Sequence, residues 1–189
     1  MAAAIPSIAC LGVIGRNNNP LHVTIFPSYE PSTTSFAPIR TPLQFSLLLS
    51  SSLDIFELRA KSNTAAAVGL SGELGLLHAI DDRLAAYGFE TNTGVKFVVI
   101  IDMRGRSIDS TMVSDRARSA VTVGLRDVEL KPVFKAIQAA YISLLQNPFF
   151  QPDEHSPLTG QGGKRITSKK FSDTMKHIGE TWTPGVTHL

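Results

Sequence analysis

Apolar and polar positions alternate along the chain in blocks that switch between the period of a strand and the period of a helix. Ile8 to Ile14 is apolar at almost every position, as in a strand buried on both faces. Gly15, three asparagines and Pro20 supply a turn, and Leu21 to Phe26 returns as a second strand, with His22 and Thr24 on one face and Val23 and Ile25 on the other. Pro27 to Pro42, rich in Pro, Ser and Thr, is expected to be loop. Beyond it Phe45, Leu48, Leu49, Ser52, Leu53, Phe56 and Ala60 recur at helical spacing. They predict an amphipathic helix with one broad apolar face and with Asp54, Glu57 and Lys61 on or beside its polar edge. Ser62 to Gly72 is a linker of small residues.

The second half begins with three strands in a meander: Glu73 to Ile80, Arg83 to Phe89 and Val95 to Ile101, joined by Asp81-Asp82 and by Glu90 to Gly94. The last is near-continuously apolar and predicts the centre of a sheet. Asp102 then reads as the polar residue where the chain leaves the sheet, and Met103 to Arg126 as a long surface insertion. A helix is predicted from near Lys131, with Asp127 and Glu129 at its positive end, Pro132 in its first turn, and an apolar stripe through Leu130, Val133, Phe134, Ile137, Ala140, Tyr141, Leu144 and Leu145. Asn147 and Pro148 stop it. After a loop over Gln151 to Lys164, Ser168 caps a last helix that carries Phe171, Met175, Ile178 and Trp182 on one face. The order β-β-α-β-β-β-α-α, with strands joined by short turns, predicts an α+β fold in which helices cover an antiparallel sheet. The expected organisation is one domain over residues 1–189, with loop insertions near 27–42, 103–126 and 151–164.

Composition narrows the function classes. The 189 residues are 43% hydrophobic and 18% charged, enough for a core without disulfides or metals. A net charge of +2 gives no footprint for nucleic acid. The single cysteine, Cys10, lies in a predicted buried strand, where a thiol is inert, and it fits a reducing compartment. The first residues lack a basic start, and Pro6 and Gly12 interrupt the apolar run, so a buried strand after a short tail is favoured over a secretory signal.

Candidate chemistry is sparse. Gly160 to Arg165 departs from a phosphate loop, with Leu158 and Arg165 where Gly and Ser or Thr are needed. His22, His78, His155, His177 and His188 show no metal-ligand spacing. Asp81 and Asp82 suit a turn. The basic cluster Lys164, Arg165, Lys169, Lys170 and Lys176, interrupted by Asp173 and Glu180, reads as a solvated helix face, with a weak contact to anionic headgroups as the alternative. No cofactor is expected, and a small hydrolase or nucleotide-binding enzyme finds no supporting motif.

Several stretches in this order resemble the sedlin family: "IACLGVIGRNNNPLHV", "SLDIFELR", "LGLLHAIDDRLAAYGFETNTGVKFVVIID", "VFKAIQAAYISLLQNPFF" and "SKKFSDTM". The resemblance implies a longin-like (SNARE-like) fold, a five-stranded antiparallel sheet with one helix on one face and two on the other. It also implies a non-enzymatic subunit of the TRAPP tethering complex, which promotes nucleotide exchange on Rab GTPases in vesicle traffic at the endoplasmic reticulum and Golgi. The implied partners are other TRAPP subunits. A Rab GTPase and the membrane periphery would be reached only through that complex, and the setting would be cytoplasmic. The alternative is a longin-fold subunit of another vesicle coat or adaptor complex; a longin SNARE is disfavoured because the chain ends soon after Trp182.

The three insertions are longer than the family pattern. Asp54 and Glu57 match an acidic pair on the family's first helix, but the acid that usually follows is Leu58 here, so the full acidic patch does not carry over. Asp54 and Glu57 are the first candidates for a partner surface. Asn147, Phe149 and Phe150 of "NPFF" are the second, as aromatics just beyond a helix end.

Overall fold

The computed structural model describes residues 2–66, 73–109, 125–155, 157 and 163–189. Five strands form one antiparallel sheet: β1 (Ala2–Ile14), β2 (Pro20–Ile25), β5 (Glu73–Ala79), β6 (Leu84–Glu90) and β7 (Lys96–Asp109), in the order β2-β1-β7-β6-β5. A separate two-stranded hairpin, β3 (Ser28–Glu30) with β4 (Ser35–Ala37), precedes helix α1 (Pro42–Ala66). A 3-10 turn (Asp127–Leu130) leads into α2 (Lys131–Leu145), followed by the short α3 (Pro152–His155) and by α4 (Lys169–Thr181).

Alternation along the central strand sorts the core into two layers. Val98 and Ile100 of β7 join Cys10, Ile14, Leu84 and Ala86 beneath α1, which contributes Phe45, Leu49 and Phe56. Phe97, Val99 and Ile101 face the other way and meet Val133, Phe134 and Ile137 of α2 and Phe171, Met175 and Ile178 of α4. The sheet therefore carries one helix on one face and two on the other, as expected.

Local chemistry accounts for the helix starts. Thr41 N–H donates to Gln44 Oε1 (2.9 Å), and Gln44 N–H donates back to Thr41 Oγ1 (3.3 Å) at the start of α1. Pro132 occupies the first turn of α2, where a missing N–H costs nothing. Ser168 Oγ accepts from Phe171 N–H (3.4 Å) at the start of α4, the predicted cap. Trp182 is buried at the end of α4, and its indole Nε1–H donates to Glu129 O (3.3 Å), tying that end to the 3-10 turn.

Five expectations change. α1 runs on to Ala66, into the stretch Ser62 to Gly72 expected to be linker. β1 begins at Ala2, well before Ile8. Pro6 is accommodated because the β1–β7 register shifts between Ile5 and Ser7, and β2 stops opposite Cys10. The segment expected to be loop over Pro27 to Pro42 contains the β3–β4 hairpin. β7 runs on past Asp102 through Met103 to Asp109, because Arg106 to Asp109 pair with Ala2 to Ile5. Within the predicted loop over Gln151 to Lys164, Pro152 to His155 form a turn of helix. The rest of the predicted insertion after β7, residues 110–124, lies outside the described residues, as do positions 160–162 of the glycine-rich stretch and linker positions 67–72.

Candidate interaction surface

Asp102 is where a catalytic acid would first be sought, and the structure gives it another job. It sits inside β7, opposite Leu84 and Ser7, and is fully buried. Its Oδ1 accepts from Arg83 Nε (2.8 Å) and from Arg104 N–H (2.9 Å). Arg83 extends the link outward, donating to Glu30 Oε2 (3.1 Å) and to Tyr29 O (2.7 Å), so one guanidinium joins the sheet to the β3–β4 hairpin. The bond to Asp102 raises the Arg83 pKa above its already high value. Beside this link, Asp81 Oδ1 takes the Arg83 and Leu84 N–H groups (2.8 and 2.6 Å), and Asp81 Oδ2 takes Arg40 (2.9 Å). Burial alone would raise the Asp81 carboxyl, yet these donors hold it below the usual carboxylate range. Asp81 is thus the predicted turn residue, and both acids are structural.

Cys10 is likewise structural. It is buried in β1, and desolvation pushes its thiol up to about 12. Among the described residues no three His, Cys, Asp or Glu side chains are grouped so as to hold a metal ion, and no helix is long and apolar enough to cross a membrane.

The outer face of α1 stands apart from these buried groups. Its inner face buries Phe45, Leu49, Ser52 and Phe56. Its outer face leaves Leu43 (70%), Leu47 (62%) and Leu58 (66%) exposed, with Asp54 and Glu57 exposed among them. At 100° per residue, Leu43, Leu47, Asp54 and Leu58 fall within a sector of roughly 60°, opposite the buried stripe, and span about 22 Å of helix. The predicted apolar stripe faces the sheet and the predicted polar edge, Asp54, Glu57 and Lys61, is exposed; the three leucines are an addition on that outer side.

The flank of α1 is open too. Five strands spaced about 4.8 Å apart are wider than the ~10 Å one helix covers. A cleft of about 60 Å³ remains between α1 and β2, lined by Ile14, Pro20, Val23, Leu49 and Leu53 among others. On the opposite side, Arg59 donates to the carbonyl oxygens of Leu76 and Leu77 (3.3 Å for the latter), which blunts the β5 edge.

The "NPFF" turn divides. Asn147 Oδ1 accepts from Phe149 N–H (3.1 Å) and Asn147 O from Phe150 N–H (2.9 Å), closing a tight turn after α2. Phe150 folds back against the core and stacks on His155, with ring centroids 4.5 Å apart. Phe149 points away and is 91% exposed. Lys164, Arg165, Lys169, Lys170 and Lys176 are all exposed, and Lys164 pairs with Glu154 (2.8 Å), consistent with a solvated face.

The structure thus places Asp54 and Glu57 on one face with three leucines that were not predicted as surface residues, and it places Asn147 and Phe149 at a different site. The sequence signal for the leucines is their spacing: Leu43, Leu47 and Leu58 fall outside the core stripe of a helix whose core is already complete without them. Chemically, the face can bind a partner surface that offers apolar groups and basic groups together.

Comparison with known proteins adds the following. A family model described as Sedlin matches residues 13–181. Relatives named trafficking protein particle complex subunit 2-like protein are similar along nearly the whole chain. The one from Dictyostelium discoideum is 29% identical over 90% of this chain and 95% of its own length. The one from Mus musculus is 28% identical over 88% and 91%. The one from Xenopus tropicalis is 26% identical over 88% and 92%.

Proposed function

Because the chain belongs to the sedlin family, we propose that it is a non-enzymatic subunit of a trafficking protein particle (TRAPP) complex and works through contacts made by the outer face of α1. The relatives' names support the complex, and the physical character of α1 supports the mode of action. The finer reading is a structural subunit of a tethering and Rab guanine-nucleotide-exchange assembly in traffic between the endoplasmic reticulum and the Golgi and within the Golgi. Other subunits are its direct partners, and Rab GTPases and membranes are reached through the assembly.

One observation carries this reading: three leucines at 62–70% exposure share a helix face with Asp54 and Glu57. Large aliphatic side chains gathered on one face are costly to leave wet and are well suited to an interface core. The two acids give that core a charged rim, which selects a partner carrying Lys or Arg and sets its register. Phe149 is the secondary contact, independent of α1.

The test is affinity purification of the tagged full chain and of Leu47→Asp, Asp54→Ala and Phe149→Ala, with copurifying proteins identified. The wild type recovers TRAPP subunits. Leu47→Asp lowers that recovery by about tenfold or more, as for an interface anchor. Asp54→Ala lowers it less and shifts its dependence on salt. Each variant is first checked for unchanged unfolding, which is expected at these exposed positions. Recovery of coat or adaptor subunits in place of TRAPP subunits overturns the assignment of the complex. Undiminished recovery with both Leu47→Asp and Asp54→Ala overturns the assignment of the surface.

A further inference from the structure

On the face of the sheet opposite α1, a groove of about 570 Å³ runs between α2 and α4. Its α2 wall is Ala136, Ala139, Ala140 and Ser143, a row of small side chains that keeps the channel open. Its size is that of a pocket for a ligand or a peptide side chain. Small residues alone would not make a site, but one end of this groove has an occupant: Leu189 lines it and packs half-buried against the core beside it.

The path that brings Leu189 there is defined residue by residue. α4 ends at Thr181, and Trp182 and Pro184 are buried. Val186 N–H donates to Thr183 O (3.1 Å), and Gly185, at φ +95°, turns the chain through a conformation that side chains resist. The chain doubles back along α4, leaves His188 exposed and sets Leu189 against the groove. Among the described residues no backbone hydrogen bond ties Thr187 to Leu189 to either helix, so beyond the half-buried Val186 the returning segment is held by the side chain of Leu189.

We propose that the segment Thr183–Leu189 is a strap, a detachable intramolecular ligand that closes the α2–α4 groove through Leu189. The groove is then a docking channel for an extended apolar segment, occupied in the free protein by the chain's own. Most of its volume lies beyond one leucine. The turn at Thr183–Val186 serves as the hinge, so the strap leaves without disturbing Trp182 or Pro184. This is independent of the α1 face and of the complex to which the protein belongs.

The lone native thiol makes the test clean, because Cys10 is fully buried and silent to thiol reagents in the folded protein. Ala140→Cys puts a small probe in the half-buried part of the groove wall, and Ala136→Cys is a second probe should the first disturb folding. Labelling of the folded full chain is expected to be slow. Adding Leu189→Asp raises the rate roughly fivefold, the factor expected from releasing one half-buried leucine. A peptide of residues 183–189 at millimolar concentration restores part of the protection to the Leu189→Asp chain. Trp182 emission stays unchanged throughout. Equal labelling rates with and without Leu189 at both probes overturn the proposal. So does a Trp182 emission change in Leu189→Asp, which would make Leu189 part of the core and the tail no strap.

Discussion

Arg83→Met tests whether the link from Asp102 to the β3–β4 hairpin is held by a buried charge pair. The substitution keeps most of the side-chain length and removes the guanidinium. Asp102, fully buried, loses its Nε donor at 2.8 Å and keeps only the Arg104 N–H at 2.9 Å. Leaving one charge of a buried pair without its partner costs about 3–5 kcal/mol. The Tyr29 carbonyl loses a 2.7 Å bond, worth about 1 kcal/mol, and the partly exposed Glu30 contributes little. The expected loss is therefore about 4 kcal/mol, a large share of the 5–15 kcal/mol typical of a domain and about 10 °C in melting temperature. Urea unfolding followed by Trp182 emission measures it, with an unchanged slope showing that the unfolded reference is the same. The decisive variant is Arg83→Met combined with Asp102→Leu. Because the stranded charge is the main cost, the double variant should be more stable than Arg83→Met alone, losing only about 1–2 kcal/mol. A single-variant loss below about 1 kcal/mol, or a double-variant loss equal to the sum of the two singles, would refute this reasoning.

Two further outcomes follow from packing and from proton linkage. Gly179→Ala should raise helix propensity by about 1 kcal/mol on an exposed helix, yet here it should destabilise by about 1–3 kcal/mol, because a Cβ at that position would lie 2.1 Å from the Phe26 ring. A Gly179→Ala chain as stable as wild type in urea unfolding would show that α4 and the Phe26 ring can move apart. Burial lets Cys10 keep its proton in the folded state up to about 12, whereas the unfolded chain releases it from the ordinary thiol value of 9.0. The stabilisation is therefore complete below pH 9 and declines as pH rises from 9 towards 12, by up to about 1.4 kcal/mol per pH unit. Cys10→Ala leaves a small cavity costing about 1 kcal/mol at neutral pH, and its deficit against wild type should shrink as the pH is raised. A constant deficit between about pH 8 and pH 10.5 would rule out this thiol as a source of alkaline unfolding.

The parts of the fold that were legible in the sequence are those set by local period. Val95 to Ile101 is a central strand, Leu130 to Leu145 is the stripe that packs on it, and Ser168 is the cap of α4. Each signal sits within one element and needs no distant partner to be read. The misread parts depend on residues far away in the chain. Arg104 and Arg106 make the second half of β7 look like surface loop, but that half is a strand because Ala2 to Ile5 pair with it. Arg106 finds its partner at the Glu180 carbonyl (2.6 Å) on α4. Asp102 looked terminal because a carboxylate inside a buried strand requires a specific partner, and Arg83 lies in the turn just ahead of the neighbouring strand β6. The β3–β4 hairpin was hidden because Pro and Ser composition signals loop, while the contact that anchors it comes from Arg83 on another element.

The candidate surface was half legible for a related reason. Asp54 and Glu57 stand out as polar positions on a mainly apolar helix, and a sequence reading finds them. Leu43, Leu47 and Leu58 do not stand out, because leucine in a helix is ordinarily counted towards the core. Only the placement of Phe45, Leu49 and Phe56 against the sheet shows that the core under α1 is complete without them. The leucines and the acids then have separable roles. Burying the leucines would supply non-directional stabilisation of about 1.5–3 kcal/mol each and would set how long a complex lasts. Asp54 lies within the leucine sector and Glu57 about 40° beyond its edge, where their field reaches a partner before contact and penalises one of the wrong sign. On the proposed reading, a partner chain that covers this face would supply the layer outside α1. On the other face α2 and α4 cover the sheet as a pair, and the apolar side chains that α2 leaves out, Ile142 and Leu145, are exposed at 46% and 40%, less than the leucines of α1.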